Sequence, residues 1–592
     1  MSTLSQVQAE LTDALTTILE AKDIEYPVIM LERPADFQFG DLTTNLALRY
    51  ARQLRCVPLS LAEEIAGALR SAAIASVHSV SVATPGFINI TLTEDVYLRM
   101  LEEITLSSDS YGVGNVLQGQ TWVIEHTSPN PNKAMHLGHL RNNLVGMGLV
   151  RILQAQGATV ISDCVDNNRG IAIAKVMWGF LDIMRKEETT EISVVAWTDA
   201  PSHWYTPEEK GVLPDVFVTQ CYIAGEAAVK ADPAIDKAVR ALVVAWEAGD
   251  EAVWKLWQHV LSYAYAGMER TLTRLGNHWD KVWHEHEHYA RGKGYVEEGL
   301  TRGIFQTLDD GAVLTKLEAY HIPDTILLKN DGTSLYITQD IALTALKKET
   351  YHADRLVWVI GPEQSLAMRQ LFAVCEQLGI GQVDDFTHVP YGYVGIRRED
   401  GGFQKMSSRA GTVILIDDVL DAVKETLTEQ FNTENASEAL FERLAVAAVK
   451  FSLLKSERTQ DITFDPEESI ATTGDSGIYL MYTYVRTQSI LRKSSTSITL
   501  SAEHERATSA HEVEQLLLFY PEVTARAAAD LSVHHIAQYL LELAGAFNAW
   551  YAKETILDGS SSEIHKRAVT TAVGVTLRSG LALLGIVTVE EM

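Results

Sequence analysis

Apolar residues recur every third or fourth position from Leu4 to Ala21 and again from Leu61 to Leu69, the period of an amphipathic helix. Around Val77 to Ala83 and Phe87 to Thr93 the pattern changes to alternation, which predicts two strands. The Ser/Gly-rich stretch from Ser107 to Gly114 reads as a linker. A short strand is predicted from Thr121 to Glu125. A polar Pro/Asn loop follows, then a long apolar run from His136 to about Gln156, stopped by Gly157, then a strand from Thr159 to Val165. Strand, loop, helix and strand in that order make the unit of a doubly wound parallel sheet. The same order returns at Arg355 to Ile360, Leu366 to Leu378 and His388 to Val394. Residues 185–285, between the two halves, are mainly helical in pattern, and from about 431 onward nearly everything reads helical with no strand alternation. The expected architecture is therefore multidomain. An N-terminal α+β domain covers 1–105. An α/β Rossmann-like doubly wound domain covers 106–430, with a helical insertion at about 185–285. An all-α helical bundle covers 431–592.

Composition narrows the class. At 592 residues, 46% hydrophobic and 21% charged, the chain is of ordinary soluble globular make-up. No apolar run reaches the ~18 residues a membrane span needs, and the N-terminus has neither the basic start nor the apolar core of a secretory signal. The four cysteines (Cys56, Cys164, Cys221, Cys375) are scattered without a Cys-x-x-Cys pair. Neither a structural zinc nor a disulfide framework is expected, and a reducing cytoplasm is the expected compartment. A net charge of −29 argues against indiscriminate nucleic-acid binding, because phosphate neutralisation needs local Lys and Arg. It leaves room for a nucleic acid met through basic patches, and an acidic field suits a cationic small substrate.

The densest chemistry lies between Glu125 and Arg141. His136 and His139, three apart, share one helix face at the point where the polar loop gives way to the helix. Unpaired N–H groups and the positive dipole end at such a start favour a polyphosphate. Two imidazoles there can donate to phosphate oxygens as charge builds in a transition state. Gly138, with no Cβ, lets a flat purine ring approach the backbone. A second motif, Lys405-Met-Ser-Ser-Arg409, follows Gly401-Gly-Phe-Gln and reads as a loop. Its lysine can reach a pyrophosphate as a point charge, and its hydroxyls add hydrogen bonds. Alone, each motif also suits an ordinary cap or a solvated turn; the pair in this order is far more specific. Nucleotidyl transfer from ATP to a carboxylate needs no general base, so positioning and electrostatics carry the catalysis.

The pair resembles the HIGH and KMSKS motifs of class I aminoacyl-tRNA synthetases. The surroundings are similar to the arginyl-tRNA synthetase family in particular: Ser128-Pro-Asn130 and Lys133-Ala-Met-His136, the run from Met406 to Val413, Gly474 to Arg486, the C-terminal Gly580 to Ile586, Phe39-Gly-Asp41 with Asn45, and Pro85 to Asn89. The resemblance spans essentially the whole chain. It implies ATP-dependent ligation of L-arginine to tRNA(Arg) through an arginyl-adenylate, with Mg²⁺ balancing phosphate charge and no structural zinc. It also implies that bound tRNA is needed for the first step. No membrane partner is expected, and a monomer is the expected state. His136, His139, Lys133 and Lys405 would be catalytic, with Gly138, Met406, Ser407 and Ser408 also on ATP. Many members of the family lack the first lysine of the second motif and have a lysine three before the first histidine instead. This chain has both, and Lys133, at a rigid strand–helix junction, is expected to carry more.

The implied arginine pocket takes Glu125, Ser128, Asn130, Tyr336, Asp340 and Gln364. Glu125 closes a strand, and Asp340 lies one helical turn after Tyr336. A carboxylate makes two parallel hydrogen bonds to a planar guanidinium, which a lysine cannot reproduce, so a pocket of this kind rejects the wrong ligand without an editing domain. Many members of the family have an acidic-His-His sequence where this chain has Gly361-Pro-Glu-Gln364. For tRNA, Tyr479, Tyr482 and Arg486 fall on one helix face and could stack unpaired bases. Lys450, Lys455 and Arg458 form a basic stretch that could meet the tRNA stem, and Phe87 and Asn89 resemble residues that meet its outer corner. The alternatives are a class I synthetase for another amino acid and a non-catalytic tRNA-binding paralogue.

Overall fold

The protein is described by a computed structural model over residues 2–397, 403–405, 414–431, 437–494 and 504–592. It folds as two compact units. The first is assembled from both ends of the chain: Met1–Val116, Ala471–Asp530 and His534–Met592. Its opening helix, Thr3–Glu20, is capped by the Ser2 side chain on Ser5 N–H and buries Leu4, Val7, Leu11, Leu15 and Leu19, the stripe expected of an amphipathic helix. A small antiparallel sheet follows: β1 (Leu42–Thr44), β2 (Val77–Ala83) and β3 (Phe87–Leu92), in the order β1-β3-β2. The C-terminal segments add the helices Gly477–Arg492, His511–Ala529, His534–Tyr551 and Glu563–Leu583. Asp41, fully buried, joins the two ends. Its carboxylate accepts from Leu92 N–H at 2.7 Å, Tyr97 O–H at 2.5 Å and Gln515 Nε2 at 2.5 Å.

The second unit spans Leu117–Ile470 with Leu531–Val533. Its centre is a sheet of five parallel strands. Three come first: β4 (Thr121–Glu125), β5 (Thr159–Asp166) and β6 (Lys281–His284). A small antiparallel sheet intervenes, made of β7 (Phe305–Thr307), β8 (Val313–Thr315) and β9 (Thr325–Leu328). Then come β10 (Arg355–Val359) and β11 (Phe386–Val389). The spatial order is β11-β10-β4-β5-β6. The chain builds outward from β4 through β5 to β6, then returns to the other side of β4 with β10 and β11. The switch point therefore lies between β4 and β10, and a crevice at the carboxyl ends of these two strands is the expected ligand position in such a sheet. Leu356, Val357, Trp358 and Val359 are all buried in sequence, as in a strand covered on both faces.

The helical insertion begins at Ile171, earlier than the expected residue 185. It contains Ile171–Ile183, Pro214–Ala231, Pro233–Glu247 and Glu251–Arg274 around its own core of Phe180, Phe217, Trp246 and Trp257. Two of its helices cross at glycines: a Cβ on Gly179 would sit 1.9 Å from Cys221 O, and one on Gly225 2.0 Å from Lys175 O.

The chain closes this unit with a third sheet of β12 (Val394–Arg397), β13 (Phe403–Lys405) and β14 (Ile462–Phe464), ordered β13-β12-β14. The strand expected from His388 to Val394 is thus two strands. β11 stops at Val389 because Pro390 has no N–H for the ladder, and β12 starts at Val394. β14 falls in a region expected to be helical throughout; three residues are too few to show alternation. The unit also continues past the expected boundary at 430, to Ile470. Buried Arg141 accounts for this. It donates to the carbonyls of Leu453 (2.7 Å), Glu457 (3.1 Å) and Arg458 (3.1 Å), tying the end of helix Glu438–Leu454 to helix Leu137–Ala155. Among the described residues, no helix is long and apolar enough to cross a membrane.

Candidate active site

β4 delivers the chain to the switch point, and the loop after it is strained. Thr127 is a β-branched residue at φ 52°, a conformation that persists only when its surroundings over-determine it. They do. Its N–H donates to Asn142 Oδ1 at 2.7 Å, while its hydroxyl meets His126 Nδ1 at 2.7 Å and Asn143 Nδ2 at 3.2 Å. Asn142 also donates to Val359 O at the end of β10, at 2.7 Å, so one side chain spans the crevice.

Helix Leu137–Ala155 starts with a capping box made of histidines. His136 Nδ1 accepts from Gly138 N–H at 3.1 Å, and His139 Nδ1 accepts from His136 N–H at 3.2 Å. The rings stack with centroids 3.9 Å apart. Because each Nδ1 accepts, the neutral tautomer of each carries its proton on Nε2. Burial, with the Lys133 charge added, lowers the His136 pKa to about 4. Burial, His136 and Lys133 hold His139 well below its ordinary value. At neutral pH the site offers two uncharged Nε2–H donors at a helix N-terminus, with Lys133 close enough to act on both.

The described segments on either side of the second motif are hydrogen-bonded to this same helix and the residues just before it. Lys405 ends β13 opposite Gly395 of β12, and Asn142 reaches Tyr391, just before β12, at 3.3 Å. Met406, Ser407 and Ser408 lie outside the described residues. At Ile414 the described chain is hydrogen-bonded to the first motif. Leu137 N–H donates to Ile414 O at 3.3 Å, and Ile416 N–H donates to Met135 O at 3.2 Å. These bonds flank a backbone bridge between His136 and Leu415. The backbone that follows the second motif is thus joined to the start of the helix that carries the first.

On the other flank of the crevice is an acidic floor. Lys347, on helix Tyr336–Tyr351, is fully buried; its Nζ lies 2.7 Å from Glu125 Oε2 and 2.9 Å from Asp163 Oδ1. Trp283 Nε1 donates to Asp163 at 2.8 Å. Burial raises the Glu125 pKa, Lys347 opposes the rise and Asp163 adds to it. Burial alone would lower Lys347, but Asp163 and Glu125 hold it above its ordinary value. Asp340 keeps access to solvent, with Glu125 and Glu285 in its field. Desolvation and then Glu125 push its pKa up to about 7, against Lys347. Tyr336, one turn away, is 86% exposed.

The remaining expected pocket residues ring the same strand ends. Ser128 Oγ accepts from Val165 N–H at 3.0 Å, exposed Asn130 accepts from Asn167 Nδ2 at 3.3 Å, and exposed Gln364 ends the short turn after β10. In the other unit, Tyr479, Tyr482 and Arg486 do form a surface cluster. The Arg486 guanidinium lies 4.8 Å from the Tyr482 ring centroid and 5.0 Å from that of Tyr551, and it donates to Asn548, which donates to Tyr479 O–H at 3.0 Å. Phe87 is partly exposed at the start of β3.

Two expectations are corrected. Lys450 is not on a basic surface: it is 4% exposed and its Nζ donates to Leu275 O at 2.7 Å. Its helix turns that side inward. Asn89 is 5% exposed, and its Oδ1 accepts from Thr43 O–H at 2.8 Å, so it braces β3 against β1 rather than facing outward. Lys455 and Arg458 are partly exposed, paired with Glu468 at 2.8 Å and Glu457 at 3.7 Å. Sequence reasoning missed Lys347 and Asp163. Lys347 follows Asp340 by two helical turns on the same face, and that spacing was the available signal.

Profiles of known families agree with this geometry. The profile described as tRNA synthetases class I (R), catalytic domain, matches residues 101–466. The chain belongs to the arginyl-tRNA synthetase family. The Arginyl tRNA synthetase N terminal domain profile matches 5–92, and the DALR anticodon binding domain profile matches 480–592. Relatives include the arginine–tRNA ligase of Bacteroides thetaiotaomicron, 30% identical over 96% of both chains. That of Flavobacterium psychrophilum is 31% identical over 88% of this chain and 87% of its own. The arginyl-tRNA synthetase of Thermus thermophilus shares the fold, with a TM-score of 0.79 at 22% identity over 98% of this chain and 99% of that one.

Proposed function

We propose that this chain ligates L-arginine to tRNA(Arg), first forming arginyl-adenylate and pyrophosphate from ATP, then passing the arginyl group to the terminal ribose hydroxyl of the tRNA. What supports the reading is that Asp340 lies in the field of Glu125, the residue ending the strand that leads into a helix start with two neutral imidazole donors. A guanidinium suits the first and a triphosphate the second.

In this reading the Nε2–H groups of His136 and His139 donate to phosphate oxygens as negative charge grows during attack on the α-phosphate. Donors that are already neutral and fixed need no reorganisation. Gly138 leaves room for the adenine ring, and Lys133 and Lys405 hold the phosphates with Met406, Ser407 and Ser408 beside them. Glu125 and Asp340 take the guanidinium, while Tyr336, Ser128, Asn130 and Gln364 line the rest of the substrate. Tyr479, Tyr482 and Arg486 offer stacking surfaces for unpaired bases, with Phe87, Lys455 and Arg458 as further tRNA contacts. Among the described residues no group of three or more His, Cys, Asp or Glu side chains is arranged for a metal. Mg²⁺ is assigned to the phosphates of ATP, where it offsets their charge. The cytoplasm, where ATP and tRNA are found, is the proposed location, and a monomer the proposed state.

Aminoacylation of total tRNA with each of the twenty amino acids tests the reading. Charging with arginine alone is expected. Charging with another amino acid instead, or with none, refutes it.

A further inference from the structure

We propose that Lys347 is a positioning residue for substrate recognition: it holds Glu125 ionised and oriented towards the arginine side chain. The inference rests on the assignment of arginine to this crevice. Glu125 and Asp163 end up beside each other because β4 and β5 are parallel neighbours in which these two residues are directly paired. Two carboxylates buried at such a contact cannot both ionise unaided, and one would keep a proton. A protonated Glu125 would present a neutral acid to a guanidinium and lose the charge-assisted pair.

Lys347 removes that conflict. One ammonium reaches both carboxylates, at 2.7 and 2.9 Å, with side-chain exposures of 1% for Lys347, 9% for Glu125 and 0% for Asp163. Asp163 is further held by Trp283 Nε1. Burying a lysine this completely is costly, and its partners come from β4, at the switch point, and from the neighbouring β5. The lysine engages Oε2 of Glu125, and a hydrogen bond from Trp358 further orients the same carboxylate. The same helix carries Asp340 and Tyr336 nearer its start, on the crevice side of the lysine, so one rigid element aligns the whole acidic floor. The charged and titratable groups facing the pair are Asp163 and Cys164 from β5, Asp340 and Tyr351 from the lysine's own helix, and Glu285 and His288 from the turn after β6.

The test compares Lys347→Met, Lys347→Arg and the double variant Lys347→Met/Asp163→Asn with the unaltered protein, measuring arginine-dependent pyrophosphate exchange with tRNA present, from pH 6 to 9. In Lys347→Met the arginine KM is expected to rise at least tenfold near pH 7, with ATP KM within twofold and kcat within about threefold. Measured in an Asp340→Asn background, so that the titration of Asp340 near 7 drops out, the fall of arginine KM with rising pH should lie a pH unit or more higher with Lys347→Met than without it, because Glu125 now ionises later. Lys347→Arg should restore most of the KM. So should the double variant, which removes the competing carboxylate. With Asp340→Asn as the common background, so that Asp340 contributes no band of its own, a carboxylic-acid carbonyl band in the infrared spectrum gained on adding Lys347→Met and lost again on adding Asp163→Asn is the readout independent of activity.

An unshifted pH dependence in Lys347→Met, or equal losses for arginine and ATP that Asp163→Asn does not relieve, overturns the proposal. A Lys347→Met protein that does not fold is judged on Lys347→Arg and on Asp163→Asn alone. The latter should leave arginine KM within twofold, and a tenfold rise there overturns the proposal. If the unaltered protein does not use arginine at all, the functional reading falls; the infrared band then decides whether Lys347 controls Glu125.

Discussion

His136 caps a helix and, in the proposed reaction, donates to a phosphate; His136→Asn separates the two roles. Asparagine is among the best N-cap residues, so the variant keeps a side-chain acceptor for Gly138 N–H. It is too short to place a donor where the imidazole Nε2–H lies. Removing one preorganised donor from a developing anion costs ~10²–10³-fold in kcat, about 2.7–4 kcal/mol. Losing the cap costs about 1 kcal/mol of stability, which moves the melting temperature of a unit as large as Leu117–Ile470 by roughly 1–2 °C. His136→Asn should therefore lower kcat for arginine-dependent pyrophosphate exchange by ~10²-fold or more while leaving the melting temperature unchanged. His136→Ala should lose both. The pH dependence checks the protonation state. With the pKa lowered to about 4 by burial and Lys133, the imidazole is neutral throughout pH 6–9, so the kcat profiles of variant and unaltered protein should run parallel there. An imidazolium donor would instead make kcat fall as pH rises through ~6.5. A His136→Asn protein that keeps a third or more of kcat, or a kcat that falls through that range in the unaltered protein, refutes the reasoning.

Asp340, with its pKa raised to about 7, is ionised above that pH and protonated below it. Arginine KM should therefore fall as pH rises through 7, and in Asp340→Asn it should be at least tenfold higher at pH 8 with that dependence reduced; titrating KM against pH checks both. Lys133→Ala is expected to reduce kcat more than Lys405→Ala, because Lys133 acts directly on both imidazoles, and parallel kinetics of the two variants would show the reverse if the reasoning is wrong. Lys450, buried with its pKa lowered to about 7, binds its proton more weakly folded than unfolded. Stability should rise with pH between about 7 and 10 from this group, Lys450→Met should flatten that rise in thermal melts, and its tRNA KM should stay within twofold. Arg486→Ala should raise tRNA KM several-fold and leave arginine KM unchanged, measured by aminoacylation.

The parts of the site that are contiguous in the chain were legible. β4, the loop and the His136 helix start follow from a local change of period, and Tyr336 and Asp340 from one helical spacing. What escaped depends on which side of an element is covered. Lys347 and Lys450 are both lysines on helices, where solvent is the usual surrounding, and only the packing of other segments turns them inward. Asp163 sits within a buried strand whose neighbour supplies a second carboxylate, and pairing between strands is not written locally. The same applies to β14, three residues long and paired with a strand, β12, that ends as far back as Arg397. Arg141 reads as one more exposed cation after the motif, yet it binds three carbonyls from a distant helix end.

The sheet order has a consequence for biosynthesis. β4 pairs with β5 soon after both leave the ribosome, but its other edge waits for β10, which begins at Arg355. At roughly 5–20 residues per second, the nascent chain carries an unpaired, apolar strand edge for on the order of ten to fifty seconds. The insertion, with its own core, can collapse in that interval, while the catalytic crevice cannot exist until the second half of the sheet has been made. A truncated product ending within the insertion would be left with a sticky edge and no activity, a natural substrate for chaperones and proteases.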